Sequence, residues 1–218
     1  MVALTKQQMR DTLLRRFQNR SALSDQIDDA LTIAQQRLET GGLPDTAGGF
    51  LPWFLVTDNK TIVTVAGNDT VTLPTGFLRE EEEFGGFFIK TSAGTWKQLV
   101  KDDFNVLNNA ELGAGVPTSY ALVGENMILF PTPAAIETLR GMYFAEDSAL
   151  EADNETNKWS KYASSLLIAG AGYIVAQNVR YPSHMTEFAA EMQALFSALT
   201  RAHTARMEAM RDASMGDN

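Results

Sequence analysis

The period of the apolar residues changes twice along this chain, and that change constrains the fold more tightly than any bulk property. Near the N-terminus the recurrence is helical. Met9, Leu13 and Phe17 fall at four-residue steps, and Ile27, Leu31, Ala34 and Leu38 form a second stripe. Thr5 with Gln8 gives the first helix a capping box, and Gly41-Gly42 supplies a stop for the second. From Leu51 to Asp147 the texture becomes alternating, with β-branched and aromatic residues in "TIVTVAG", "TVTLP", "GGFFIKT", "TWKQLV", "SYALV", "MILFP" and "ETLRGMYF". Helical spacing returns after the acidic loop "EDSALEADNETN". One helix is expected from about Lys158 to Val179, then a break at Tyr181-Pro182-Ser183. A last helix follows, in which Met185, Met192 and Leu199 recur at seven-residue steps.

This order predicts an α+β fold. Residues 1–45 and 158–218 make a helical bundle, and residues 50–147 make an inserted antiparallel β domain. The runs are separated by turns such as Gly67-Asn68-Asp69 and Gly124-Glu125-Asn126, too short to hold the crossover helices of a parallel sheet. Within the insert, "GVPTSYALVGENMILFPTPA" (Gly115 to Ala134) reads as a hairpin whose second strand is stopped by Pro131 and Pro133. "DDFNVLNNAEL" is expected to add one helical turn. The small residues Ala169 to Gly172 weaken a helix unless another backbone packs closely there.

Several kinds of chemistry are excluded or made uncommon. Without cysteine there are no disulfides, thiolate metal sites or thiol nucleophiles. With two histidines, His184 and His203, a zinc or iron site would need carboxylates almost throughout, so neither metal nor cofactor is expected. No apolar run approaches the about 20 residues that cross a bilayer, so no membrane partner is expected. The opening "MVALTKQQMRDTLLRR" lacks the basic-then-apolar order of a secretory signal, so synthesis in the cytoplasm is expected. A net charge of −9 is the opposite of what gripping DNA phosphates requires.

The conspicuous charge run is "REEEEF". Glu80, Glu81, Glu82 and Glu83 read as a solvated or lumen-facing acidic loop, because neighbours on a strand alternate faces and cannot converge on one cation. His184 and His203 read as helix N-terminal and solvent-exposed residues. Trp53, Phe54, Trp96, Tyr143 and Trp159 read as core. At the C-terminus, about residues 200–218, Arg201, Arg206 and Arg211 interleave with Met207 and Met210. This is either a docking arm that orders on assembly or a frayed end, and the interleaving favours the arm.

Taken in order, "ALTIAQQRLET", "LPWFLV", "TVAGNDTVTLPTGFLRE", the Gly115–Ala134 hairpin, "MYFAED" and "ADNETNKWSKYASSLLIAGAGYIVAQ" resemble the head-to-tail adaptor (connector) proteins of tailed bacteriophages over about residues 26 to 200. The resemblance implies a non-enzymatic virion protein of the neck. Such proteins form a ring, expected to be a dodecamer, between the portal protein and a tail or nozzle protein. Double-stranded DNA passes through the lumen without specific binding. The helical part and C-terminal arm would face the portal. The alternatives are another neck or tail-completion ring protein, a generic binding module, or a cell-wall hydrolase using Glu80–Glu83 or Asp102/Asp103. No spacing here fixes carboxylates across a cleft as that last chemistry requires.

Overall fold

A computed structural model describes residues 2–40, 50–81, 86–105 and 113–215, with side chains placed up to residue 209. The chain divides into two compact units, Met1–Leu55 with Asp147–Asn218, and Val56–Glu146. The expected insert boundary of 50–147 therefore moves inward at its start. Phe50 to Leu55 belong with the helices, where Phe54 stacks edge-on against Trp159 at 5.1 Å and Phe50 against Phe196 at 5.2 Å.

The first unit contains α1 (Lys6–Arg16), α2 (Ser24–Thr40), α3 (Lys158–Tyr162), α4 (Ser164–Asn178) and α5 (Pro182–Met215). Thr5 caps α1 as the sequence predicts. Its hydroxyl accepts from Gln8 N–H at 3.2 Å, and the Gln8 side chain accepts from Thr5 N–H at 2.9 Å. Met9, Leu13 and Phe17 are buried, as is the whole Ile27–Leu38 stripe of α2. The stop at Gly41-Gly42 lies outside the described residues.

The helix expected over Lys158–Val179 is two helices. The chain turns at Ala163 (φ −142°, ψ 33°), and Asn157 caps α3 with its own reciprocal box to Ser160. α4 is buried on nearly every side and packs against both α2 and α5. The close approach expected at Ala169–Gly172 is real at Gly172, but the visitor is a side chain and not a backbone. A Cβ there would lie 2.4 Å from the Phe188 ring on α5. Pro182 starts α5, whose fixed φ suits a first turn.

The second unit holds nine described strands. One sheet runs β1 (Val56–Val63), β9 (Thr138–Ala145), β4 (Phe87–Lys90), β5 (Trp96–Gln98), with β3 (Phe77–Glu80) also on β9. The other runs β2 (Thr70–Thr72), β8 (Asn126–Phe130), β7 (Ser119–Val123), β6 (Val100–Lys101). Among the described strands all pairings are antiparallel except β6 with β7, a short parallel contact. The Gly115–Ala134 hairpin forms as expected. Gly124 takes φ +60° at the two-residue turn, a conformation glycine adopts without strain. Phe87, Ile89, Leu99, Met127, Leu129 and Leu139 fill the space between the sheets. Of the expected helical turn at "DDFNVLNNAEL", residues 102–105 are described, and Phe104 and Asn105 among them are helical.

Candidate functional site

The C-terminal residues singled out from sequence do not behave alike. α5 is one continuous helix of 34 residues, about 50 Å long, which carries the chain past Leu199 to Met215 without a break. Arg201 and Arg206 are exposed on it. Met207 is only 4 % exposed, so it is a core residue and is unavailable for docking. His203 sits edge-on to Phe50 at 5.1 Å, which ties this part of α5 to its own unit. The side chains of Met210 and Arg211 lie outside the described residues. His184 opens α5 as expected, but it packs among Phe17, Tyr181 and Phe188 instead of standing in solvent.

The acidic run is also corrected. Glu80 and Glu81 are 5 % and 4 % exposed, so neither is a solvated or lumen-facing group. Glu80 ends β3 in the first sheet of the β unit. Its carboxylate accepts from Tyr120 OH on β7 at 2.5 Å and pairs with Lys101 Nζ on β6, both in the second sheet. The buried carboxylate thus clamps one sheet to the other, and its desolvation is offset by an ammonium and a phenol. Gly86 completes the arrangement at φ +65°, where a Cβ would press on the Tyr120 hydroxyl at 2.9 Å. Glu82 and Glu83 lie outside the described residues. The run itself gives no sign that a strand carries its first member inward.

A second buried carboxylate, Glu39 at the end of α2, was not legible as special. Its Oε1 accepts from Trp159 Nε1 at 2.7 Å, from Gln35 Nε2 at 3.3 Å and from Asp147 N at 3.3 Å. Burial pushes this carboxyl above its ordinary range, and the Trp159 hydrogen bond opposes that rise. Gln35 and Asn157 extend the network, with Asn157 Nδ2 donating to Gln35 Oε1 at 2.9 Å and to Ser148 O at 2.7 Å. The group fixes the segment after Asp147, where the chain returns to the helices. On the outer side of the same unit, Arg10 reaches both Asp28 (2.7 Å) and Asp153 (2.8 Å). The guanidinium pulls the Asp153 carboxyl below its usual range.

The remaining feature lies on the surface of the β unit. Thr64 is buried, and its N–H donates to Glu137 O at 3.0 Å. Ile136 is 74 % exposed, and Val63, Val65 and Val116 are exposed as well. Val116 and Ile136 line a groove of about 510 Å³ that also meets Lys90 and Lys97. At the other end of β8 and β9 lies a second groove of about 390 Å³, formed by Leu73, Pro74, Gly76 and Phe77 with Glu125 and Glu146. The sequence reading took Val116 for part of a punctuated hairpin and assigned Ile136 to no element. Nothing in a two-residue period marks a side chain just outside a strand as exposed.

Neither groove assembles reactive groups, and among the described residues no three acidic or histidine side chains gather as a metal site would need. Compared with known families, residues 4–216 match the family described as SU10 adaptor protein. The chain belongs to the SU10 adaptor protein family. A search of the curated proteins finds no match. Membership makes this a bacteriophage adaptor, a structural class. It gives the adaptor's surfaces, and not a cleft, the first claim on function. No helix among the described residues is long and apolar enough to cross a membrane.

Proposed function

We propose that this SU10-family adaptor forms a ring of copies in the virion neck, between the portal and a tail or nozzle protein, with a lumen that passes double-stranded DNA. The observation that carries the reading is the family match over nearly the whole chain, residues 4–216. Physical support comes from the balance of charge. At −9, a surface gives phosphates little to hold, and weak binding is what sliding DNA requires. No individual residue is assigned to the lumen, since the first two members of the acidic run are buried.

The portal-facing part of the proposal rests on α5. Arg201 and Arg206 are exposed, lie on this long helix, and form no ion pair among the described residues. They suit a carboxylate-bearing rim. The test is to mix purified adaptor with portal rings and image the product by electron microscopy. Joint rings are expected for the natural chain, and their loss is expected for Arg201→Glu with Arg206→Glu at unchanged thermal stability. Joint rings that form equally well with both reversals would remove α5 from the docking reading. An adaptor that never joins a portal would remove the reading itself.

A further inference from the structure

We infer that the two grooves of the β unit are the two halves of one contact, so that the basic groove of one copy receives the acidic end of the next. The inference rests on the ring reading only for its setting. The contact itself is argued from the β unit alone.

β9 runs from Thr138, beside the first groove, to Ala145, beside the second, a span of about 23 Å. The hairpin runs between the same places, since Val116, Pro117 and Thr118 precede β7 at one end while Gly124 and Glu125 form the turn at the other. The two grooves therefore sit at opposite ends of one small body. That placement suits a head-to-tail contact, in which a different patch of each copy is used and growth can close into a ring.

The chemistry of the ends is complementary. The first end offers an apolar projection, Ile136 with Val116, and two ammonium groups, Lys90 and Lys97, against one carboxylate, Glu137. Neither lysine forms an ion pair among the described residues, although other cations of this unit do. Lys60 and Arg140 share Asp58, and Lys101 holds Glu80. The second end offers an apolar floor, Leu73 and Phe77, and two carboxylates, Glu125 and Glu146, that likewise have no cation. Within an acidic chain, an uncompensated basic rim around exposed isoleucine and valine is a poor surface to leave in water. An acidic rim around an apolar depression on the same molecule is its natural cover. Charge complementarity would set the register, and burial of Ile136 would supply much of the attraction.

The chain has no cysteine, so introduced thiols are unique reporters. Ile136→Cys and Thr75→Cys together, treated with a short bismaleimide, are expected to give a ladder of covalent dimers, trimers and larger species. Either cysteine alone should give no ladder. Adding Lys90→Glu and Lys97→Glu should cut the ladder by roughly tenfold or more, because like charges then meet. Adding Glu125→Lys and Glu146→Lys to that same chain should restore it. Circular dichroism melts confirm that these exposed substitutions leave the fold in place. No ladder at protein concentrations up to about 1 mM, where even weak contacts form, would overturn the inference. A ladder indifferent to the charge reversals would do the same. The two readings fail separately. A charge-dependent ladder that images as open chains upholds this contact and sinks the ring, whereas portal-bound rings lacking the cross-link sink this contact and uphold the ring.

Discussion

Replacing Gly172 by alanine adds one methyl group in the middle of α4, and the sign of its effect tests how the helical unit is packed. In an isolated helix the change is favourable by about 1 kcal/mol, because glycine has the most backbone freedom to lose. Here the new Cβ would lie 2.4, 2.5 and 2.8 Å from three atoms of the Phe188 ring, where carbon–carbon contacts prefer about 3.5–4.0 Å. The ring must move by about 1 Å, and it is 1 % exposed. It is held by Phe17 at 5.9 Å and by the Arg16 guanidinium over its face at 5.1 Å, which is itself fixed to Glu191. Overpacking of this kind costs about 1–3 kcal/mol, so the net expectation is destabilisation by about 1 kcal/mol. In a Phe188→Leu background the obstacle is gone, and the same alanine should stabilise by about 1 kcal/mol. The coupling between the two sites is then about 2 kcal/mol. Urea unfolding followed by tryptophan fluorescence measures this, since Trp53 and Trp159 report on the helical unit and Trp96 on the β unit. Gly172→Ala that stabilises the natural chain would refute the packing argument.

Tyr120→Phe removes the hydroxyl that donates to Glu80 and leaves a buried carboxylate short of a partner. The β unit should lose about 1–3 kcal/mol, read as an earlier Trp96 transition with the Trp159 transition unchanged. Glu39→Gln keeps the Oε1 acceptor for Trp159, Gln35 and Asp147 while removing the charge. The folded-state pKa of Glu39 lies above its ordinary 4.5, so the fold binds this proton more tightly than the unfolded chain does. Stability from this group is therefore greatest at low pH and falls as pH rises from 4.5 through the folded-state value. The glutamine variant should lack that fall and be at least as stable at pH 7, as measured by urea midpoints across pH; an unchanged slope would contradict it. Asp58 behaves oppositely. Arg140 binds it at 2.6 and 3.0 Å and holds its carboxyl below the ordinary 3.8. Its stabilisation is present above 3.8 and disappears as pH falls through the lower folded-state value, so Asp58→Asn should flatten the acid limb by a few tenths of a kcal/mol for this partly exposed pair.

The elements visible in the sequence were those whose burial is periodic. The stripes Met9–Phe17 and Ile27–Leu38 are each one helix face, and the capping pair Thr5/Gln8 acts within four residues, so local physics decides both. α4 is different. It is buried on almost every side, so it has no stripe, and the break at Ala163 is set by the Asn157–Ser160 box and the pull of Glu39 on Trp159. The Glu39–Trp159 bond joins residues 120 positions apart, which no window reads. The parallel β6–β7 pair was hidden for a similar reason. Two residues, Val100 and Lys101, cannot show a period, and their partners arrive from the hairpin. At the surface the loss is greater still. Glu80 and Ile136 have the residue types expected of an acidic loop and a buried strand, and the structure exchanges their roles.

That exchange bears on how far net charge can be used. A figure of −9 counts residues, whereas DNA or a neighbouring copy meets only what faces water. Glu39, Glu80 and Glu81 are buried, and Glu80 carries its own ammonium partner, so three of the negative charges contribute little outside the protein. What remains is uneven. In the β unit the free carboxylates of Glu125 and Glu146 lie at one end of β9, and the free ammonium groups of Lys90 and Lys97 lie at the other. A body polarised along its strands is attracted to copies of itself in one orientation and repelled in the reverse, with a reach of about 8 Å at physiological salt. Overall acidity then keeps chains apart at a distance, while the polarity of the β unit selects the one close approach that escapes this repulsion. Both effects weaken in salt, but they change association in opposite directions. Self-association that passes through a maximum as salt is raised is what this arrangement requires, and association that only rises with salt would leave the polarity without a role.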